Sequence, residues 1–163
     1  MIPHTSEPFD TLRNALEALG VRYAVGGSWA SAAYGEARFT NDVDILVDLP
    51  LASLERFLSL LSSDFYFDLE HARDSLGRGR PFNLIYMPTA LKFDLFPARA
   101  FPLGMDELDR CVLLVNSGLS EVPTPFVSVE DILTRQASLV PRRRRGVREA
   151  MARHSRHRSG ASY

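Results

Sequence analysis

Apolar positions recur at helical spacing in some parts of the chain and alternate with polar ones in others, and the two patterns divide it into elements. Leu12, Leu16 and Leu19 return every three or four residues, Ser6 stands at an N-cap position, and Gly20 follows. Residues 7–19 therefore read as a helix that stops at the glycine. Residues 21–25 form a short apolar run, which reads as a strand turned by Gly26-Gly27. Ser28 is then expected to cap a helix of small residues over 29–34, ended by Gly35. After a connecting loop at 38–41, Val43, Ile45 and Val47 fall on one face of a strand over 43–49. Asp42 and Asp44 fall on the other face.

Further along, Pro50 precedes an amphipathic helix over 51–61 that carries Leu54, Phe57, Leu58 and Leu61. Residues 65–67 read as a strand, and the polar run 71–79 as a short helix or loop. Residues 82–86 and 91–96 flank Pro88-Thr89-Ala90, the pattern of a hairpin. Residues 97–104 read as irregular, and 106–110 as one or two helical turns. Strand candidates at 112–115 and 126–127 lead to Ser128, which with Glu130 and Asp131 marks a helix start. The sum predicts an α/β (α+β) domain: a mixed sheet of about four or five strands with helices packed on one side.

Composition narrows the class. With 163 residues, 45% hydrophobic and 24% charged, the chain can form one modest domain with a core. A single cysteine, Cys111, excludes a disulfide framework and suits a reducing compartment. No apolar run approaches the ~20 residues of a membrane span, and the N-terminus lacks a signal-peptide pattern. The expectation is a cytoplasmic protein with no membrane partner. Charge is uneven: residues 1–140 carry 11 Lys+Arg against 19 Asp+Glu, and residues 141–163 carry 8 against 1. The chain therefore reads as a core domain over 1–140 followed by a basic tail over 141–163.

The chemistry concentrates in two places. Asp42 and Asp44, on one strand face, repel each other unless something cationic binds them, and a hard divalent metal with oxygen ligands meets that need. Asp94 lies between Phe93 and Leu95 in a strand pattern, although aspartate is depleted in strands. Lys92, the only lysine, shares a strand face with Asp94. Gly26-Gly27-Ser28 has the composition of a turn whose backbone N–H groups can approach a phosphate. Each feature also has a plain structural reading. Gly26-Gly27 can be a tight turn, Asp42 a turn aspartate, Asp44 a solvated strand residue, and Lys92 a salt-bridge partner of Asp94.

Taken together and in order, Gly26-Gly27-Ser28, Asp42-Val43-Asp44 and Asp94 resemble the signature of the nucleotidyltransferase superfamily with the DNA polymerase β-like fold. The resemblance spans roughly residues 10–135 and is greatest to the AbiEii-type and minimal nucleotidyltransferases of bacterial toxin–antitoxin and phage-defence systems. It implies that Asp42, Asp44 and Asp94 are catalytic and hold two Mg²⁺ ions. It implies further that Gly26, Gly27, Ser28, Arg38 and Lys92 bind the nucleotide of an NTP substrate. The implied activity moves NMP to a hydroxyl on a protein, an RNA or a small molecule, with a protein encoded by a neighbouring gene, or RNA, as partner. An antibiotic nucleotidyltransferase is the alternative within the class, and a non-catalytic nucleotide-, RNA- or partner-binding module the alternative outside it. Two origins are open for the basic tail. One is a nucleic-acid-binding extension; the other is a frameshift that replaces the family's C-terminal helices with a disordered segment and leaves activity reduced.

Overall fold

A computed structural model describes residues 6–35, 40–115 and 117–139. The chain divides into two compact units, Met1–Leu133 and Thr134–Tyr163; of the second, residues 134–139 are described, as helix. The expectations for the basic tail over 141–163 and for Arg38 lie outside the described residues.

The elements run α1 (Ser6–Ala18), β1 (Tyr23–Val25), α2 (Gly27–Ala33), β2 (Asp42–Val47), a 3₁₀ turn at Leu51–Ser53 and α3 (Leu54–Ser59). They continue through β3 (Phe65–Tyr66), α4 (Leu69–Gly77), β4 (Phe82–Tyr86), β5 (Leu91–Pro97) and a 3₁₀ turn at Ala98–Ala100. The last are α5 (Gly104–Asp109), β6 (Val112–Leu114), β7 (Thr124–Phe126) and α6 (Val129–Leu139). The described strands form one mixed sheet in the order β3-β4-β5-β2-β1-β7-β6. This is seven strands rather than four or five, because the two weakest candidates pair with each other as β6 and β7, and β7 joins β1 in parallel.

Three local expectations are corrected and one open alternative, helix or loop near residue 71, is resolved. β1 begins at Tyr23, two residues later than its apolar run. The second helix begins at Gly27, so Ser28 lies in its first turn, and the N-cap residue Gly26 makes no side-chain cap bond. The polar run near residue 71 is helical as α4, because the Asp68 side chain accepts a 2.9 Å hydrogen bond from the His71 backbone N–H and caps it. The segment expected to be irregular contains the 3₁₀ turn Ala98–Ala100 and the start of α5.

Helices cover both faces of the sheet, not one. On the first face Val43, Ile45 and Val47 of β2 and Leu91, Phe93 and Leu95 of β5 pack with Phe9, Leu12 and Leu16 of α1. Leu54, Phe57 and Leu58 of α3 and Leu76 of α4 complete this core. On the second face Ala24, Leu46 and Phe96 pack with Ala98, Leu108 and Val127, joined by Met105 and Ile132. The apolar rows of the second face do not run the full length of the sheet. At the starts of β2 and β5 the same face carries Asp42, Asp44, Lys92 and Asp94 instead. No described helix is long and apolar enough to cross a membrane.

Phe93 sits at the centre of this arrangement, fully buried, with its ring centroid 5.9 Å from that of Phe65. Burying such a side chain is worth about 1.5–3 kcal/mol, and deleting it also leaves a cavity. Phe93→Ala should lower the unfolding free energy by about 3–5 kcal/mol in urea titrations. A loss under about 1 kcal/mol would place the ring outside the core.

Candidate active site

β2 and β5 run parallel with Asp42 opposite Lys92, Val43 opposite Phe93, and Asp44 opposite Asp94. Neighbouring strands lie about 4.8 Å apart, so Asp44 and Asp94 are placed side by side on one face, a destabilising arrangement for like charges. The neighbouring row relieves it. Lys92 Nζ lies 3.1 Å from Asp94 Oδ2 and 3.5 Å from Asp42 Oδ2, which draws two of the three carboxylates onto one ammonium. The hydrogen bond to Asp94 is the main cause that raises the Lys92 pKa above its usual value. Desolvation opposes it, and the nearby Asp94 and Asp42 charges add to it. The plain structural reading of Lys92, an ion-pair partner of Asp94, is thus present in the fold.

The backbone holds these side chains in place. The Lys92 N–H donates to the Asn41 carbonyl at 2.9 Å, and the Asp42 N–H donates to the Thr40 hydroxyl at 3.1 Å. The Gly26 N–H donates to the Asp44 carbonyl at 2.8 Å, which ties the glycine turn to the middle acid. At Gly27 φ is +57°, the left-handed region that glycine adopts without strain. A Cβ built there would overlap Asp44 Oδ2 and lie 2.8 Å from Asp44 Cγ. The Asp44 carboxylate therefore lies directly against the Gly27 backbone, space that any other residue would fill. Ser28 follows in the first turn of α2, half-buried.

The structure brings Gly26, Gly27, Asp42, Asp44, Lys92 and Asp94 into one neighbourhood at the starts of β2, β5 and α2. The nucleotide-binding set implied by the resemblance, Gly26, Gly27, Ser28, Arg38 and Lys92, includes Arg38 and so falls partly outside the described residues. Three neighbours were not singled out from the pattern. Thr40 and Asn41 act through the bonds above, and Asn83 of β4 stands opposite Asp94 in the register. The hairpin reading contained the signal for Asn83, since pairing 82–86 with 91–96 sets a polar residue beside Asp94. At the opposite ends of the same strands Asp48 accepts two hydrogen bonds from Arg99, at 2.7 and 3.0 Å, and helps line a cleft of about 290 Å³ with Leu49, Pro50 and Ala98.

Whether these residues suit a divalent metal depends on donor type and on gathering. The donors are hard carboxylate oxygens, the type Mg²⁺ takes, and Asp42 and Asp94 already share one cation. Gathering is incomplete: among the described residues no group of three or more His, Cys, Asp or Glu side chains is close enough to hold a metal ion. The side chains that would offer oxygens to a divalent ion are Asp42 and Asp94, which already share an ammonium, and Asp44 on the same face, packed against Gly27.

No family model and no curated protein matches the chain. Among solved structures it is similar to the solution structure of the antibiotic-resistance factor ANT(2'')-Ia. The TM-score is 0.47 at 18% sequence identity, over 87% of this chain and 76% of that one. At that level of similarity a functional reading has to stand on the chain's own residues.

The contact between Gly27 and Asp44 can be measured. Gly27→Val should cost about 1–2 kcal/mol from the left-handed backbone alone, and more from the overlap with the carboxylate. Asp44→Ala removes the overlapping group, so the double variant should lose at least about 0.5 kcal/mol less than the two single losses combined. Additive losses in urea unfolding would show that the side chains do not meet.

Proposed function

We propose that the chain is a Mg²⁺-dependent nucleotidyltransferase that moves NMP from an NTP to a hydroxyl of a protein, an RNA or a small molecule, in a toxin–antitoxin or phage-defence setting. The observation that supports this most is the register of β2 on β5, which sets Asp44 beside Asp94 and Asp42 beside Lys92 on one open face. Three acids in adjoining rows at an exposed strand end weaken the sheet, and binding a phosphate-bearing substrate with its counter-cations gives them a use.

In this reading Asp42, Asp44 and Asp94 hold the metal, which when bound supplies charge neutralisation at the attacking and leaving oxygens of the phosphoryl transfer. The remaining work falls to the chain. Gly26 and Gly27 present backbone without side chains, and Ser28 adds a hydroxyl at the start of α2, where a triphosphate would approach. Lys92 and Arg38 supply positive charge to that triphosphate, and the Thr40 and Asn41 bonds hold the first carboxylate and Lys92 in register. Positioning and electrostatics are the main protein contributions to this class of transfer.

A second reading has its own support. Lys92 bridges Asp42 and Asp94, and no three-ligand group is present among the described residues, as in a module that keeps the fold and binds nucleotide, RNA or a partner without catalysis. The acceptor separates the enzyme readings: a neighbouring-gene protein or RNA for the defence role, an antibiotic with free hydroxyls for the resistance role.

Each labelled NTP is to be incubated with the chain and Mg²⁺, with RNA, with the neighbouring gene's product or with such an antibiotic. Label should pass to one acceptor. Asp42→Asn, Asp44→Asn and Asp94→Asn should each lower the rate by about 10²–10³-fold, as loss of one electrostatic stabiliser of a transition state does. NTP binding without transfer, or transfer that survives all three substitutions, would reject the enzyme and leave the binding module.

A further inference from the structure

The cation that Asp42 and Asp94 share is the chain's own. We propose that Lys92 and a divalent metal compete for one seat: Lys92 holds the two carboxylates in the metal-free protein, and a bound metal displaces its ammonium. The inference rests on the reading above that these carboxylates bind metal, and it concerns how that site is kept before the metal arrives.

The geometry points to exchange rather than coexistence. Lys92 Nζ reaches Oδ2 of Asp94 at 3.1 Å and Oδ2 of Asp42 at 3.5 Å, so the ammonium occupies hard carboxylate oxygens of the kind a divalent ion takes. A divalent ion and an ammonium on the same oxygens repel each other, so one leaves. Lys92 can leave without disturbing β5. Its backbone stays bonded to Asn41, its side chain is 33% exposed, and its flexible four-carbon stem carries a strongly hydrated point charge into water readily. An arginine would hold the carboxylates through a rigid fork and release them less easily.

The device also answers a folding problem. Without any cation, Asp42, Asp44 and Asp94 would meet as three negative charges on adjoining rows when β5 docks on β2. Lys92 arrives on β5 itself, two residues before Asp94, so the strand that brings the second acidic row also brings its counter-charge. The sheet can close in the absence of metal, and bare metal then binds weakly because it has a competitor.

The test is a Mn²⁺ titration without nucleotide, read by the EPR signal of the free ion, on the wild-type chain, Lys92→Met and Lys92→Arg. Thermal unfolding of each with and without Mn²⁺ accompanies it. Lys92→Met should bind Mn²⁺ at least about tenfold more tightly than wild type, a difference of about 1.4 kcal/mol. It should also show the larger rise in Tm on adding Mn²⁺, while Lys92→Arg should bind no more tightly than wild type. Equal affinity of wild type and Lys92→Met, with Asp94→Asn still weakening binding, would overturn the competition and leave the metal site standing. Mn²⁺ affinity indifferent to Asp94→Asn in the Lys92→Met background would overturn the metal site and the proposal with it. If Lys92→Met does not fold in metal-free buffer, Lys92→Gln takes its place. Recovery of cooperative unfolding by Lys92→Met on adding Mn²⁺ supports the exchange, and no greater stabilisation of either variant than of wild type rejects it.

Discussion

The pairing of β2 with β5 is the joint on which the rest of the molecule depends. Six consecutive register pairs run from Asp42 opposite Lys92 to Val47 opposite Pro97. Because the strands are parallel, the chain must cross back between them, and it does so through α3, β3, α4 and β4. The helices α3 and α4 of that crossover join α1 in covering the first face, so the connection that makes the pairing possible also supplies much of its core. A one-residue slip would invert every side chain, sending Phe93 to the charged face and Asp94 into the core. Burial of Phe93 and Leu95 thus fixes the position of Asp94.

The same register that stabilises the lower rows loads the upper ones. Hydrophobic burial on the first face is continuous along both strands, while the second face changes from Leu46 and Phe96 to Asp44 and Asp94 within a single step of the pleat. Like charges in adjoining rows oppose the pairing there. The contacts that hold the acids are correspondingly specific: an ammonium between two of them, a glycine backbone against the third, and a threonine hydroxyl at the entry to β2.

How much of this was legible in the sequence differs residue by residue. The alternation through 42–47 and 91–97 placed Asp42 with Asp44 and Lys92 with Asp94, because period two is a property of the strand alone. That the two strands pair, in parallel and with Asp44 against Asp94, is a tertiary fact that alternation does not contain. The small-residue helix was legible, but its start was not. Ser28 is a strong capping residue, yet the left-handed turn at Gly27 lets the helix begin two residues earlier. The β6–β7 pair was faint because each strand is three residues long, and β7 contains Pro125, which lacks a backbone donor. Cover on the second face was missed because it comes from short pieces, α5 and the 3₁₀ turn before it, that carry too few residues for a helical period to register.

The crossover between β2 and β5 has a further consequence, for the way the molecule fails. The acids of β2 and the Lys-Phe-Asp row of β5 are far apart in the chain and meet only across one strand interface. No single hairpin contains both, since β5 pairs locally with β4 and reaches β2 only through the crossover. The shared seat, with acids of both strands on one ammonium, is therefore a property of the closed sheet. Any opening that peels the β4–β5 hairpin from β2 takes Asp42 away from Lys92 while leaving the Lys92–Asp94 pair and the hairpin's own hydrogen bonds intact. The contact between Lys92 and Asp42 is in that sense a gauge of cooperativity: it reads whether the two halves of the sheet are joined, and it is lost at the first step of their separation.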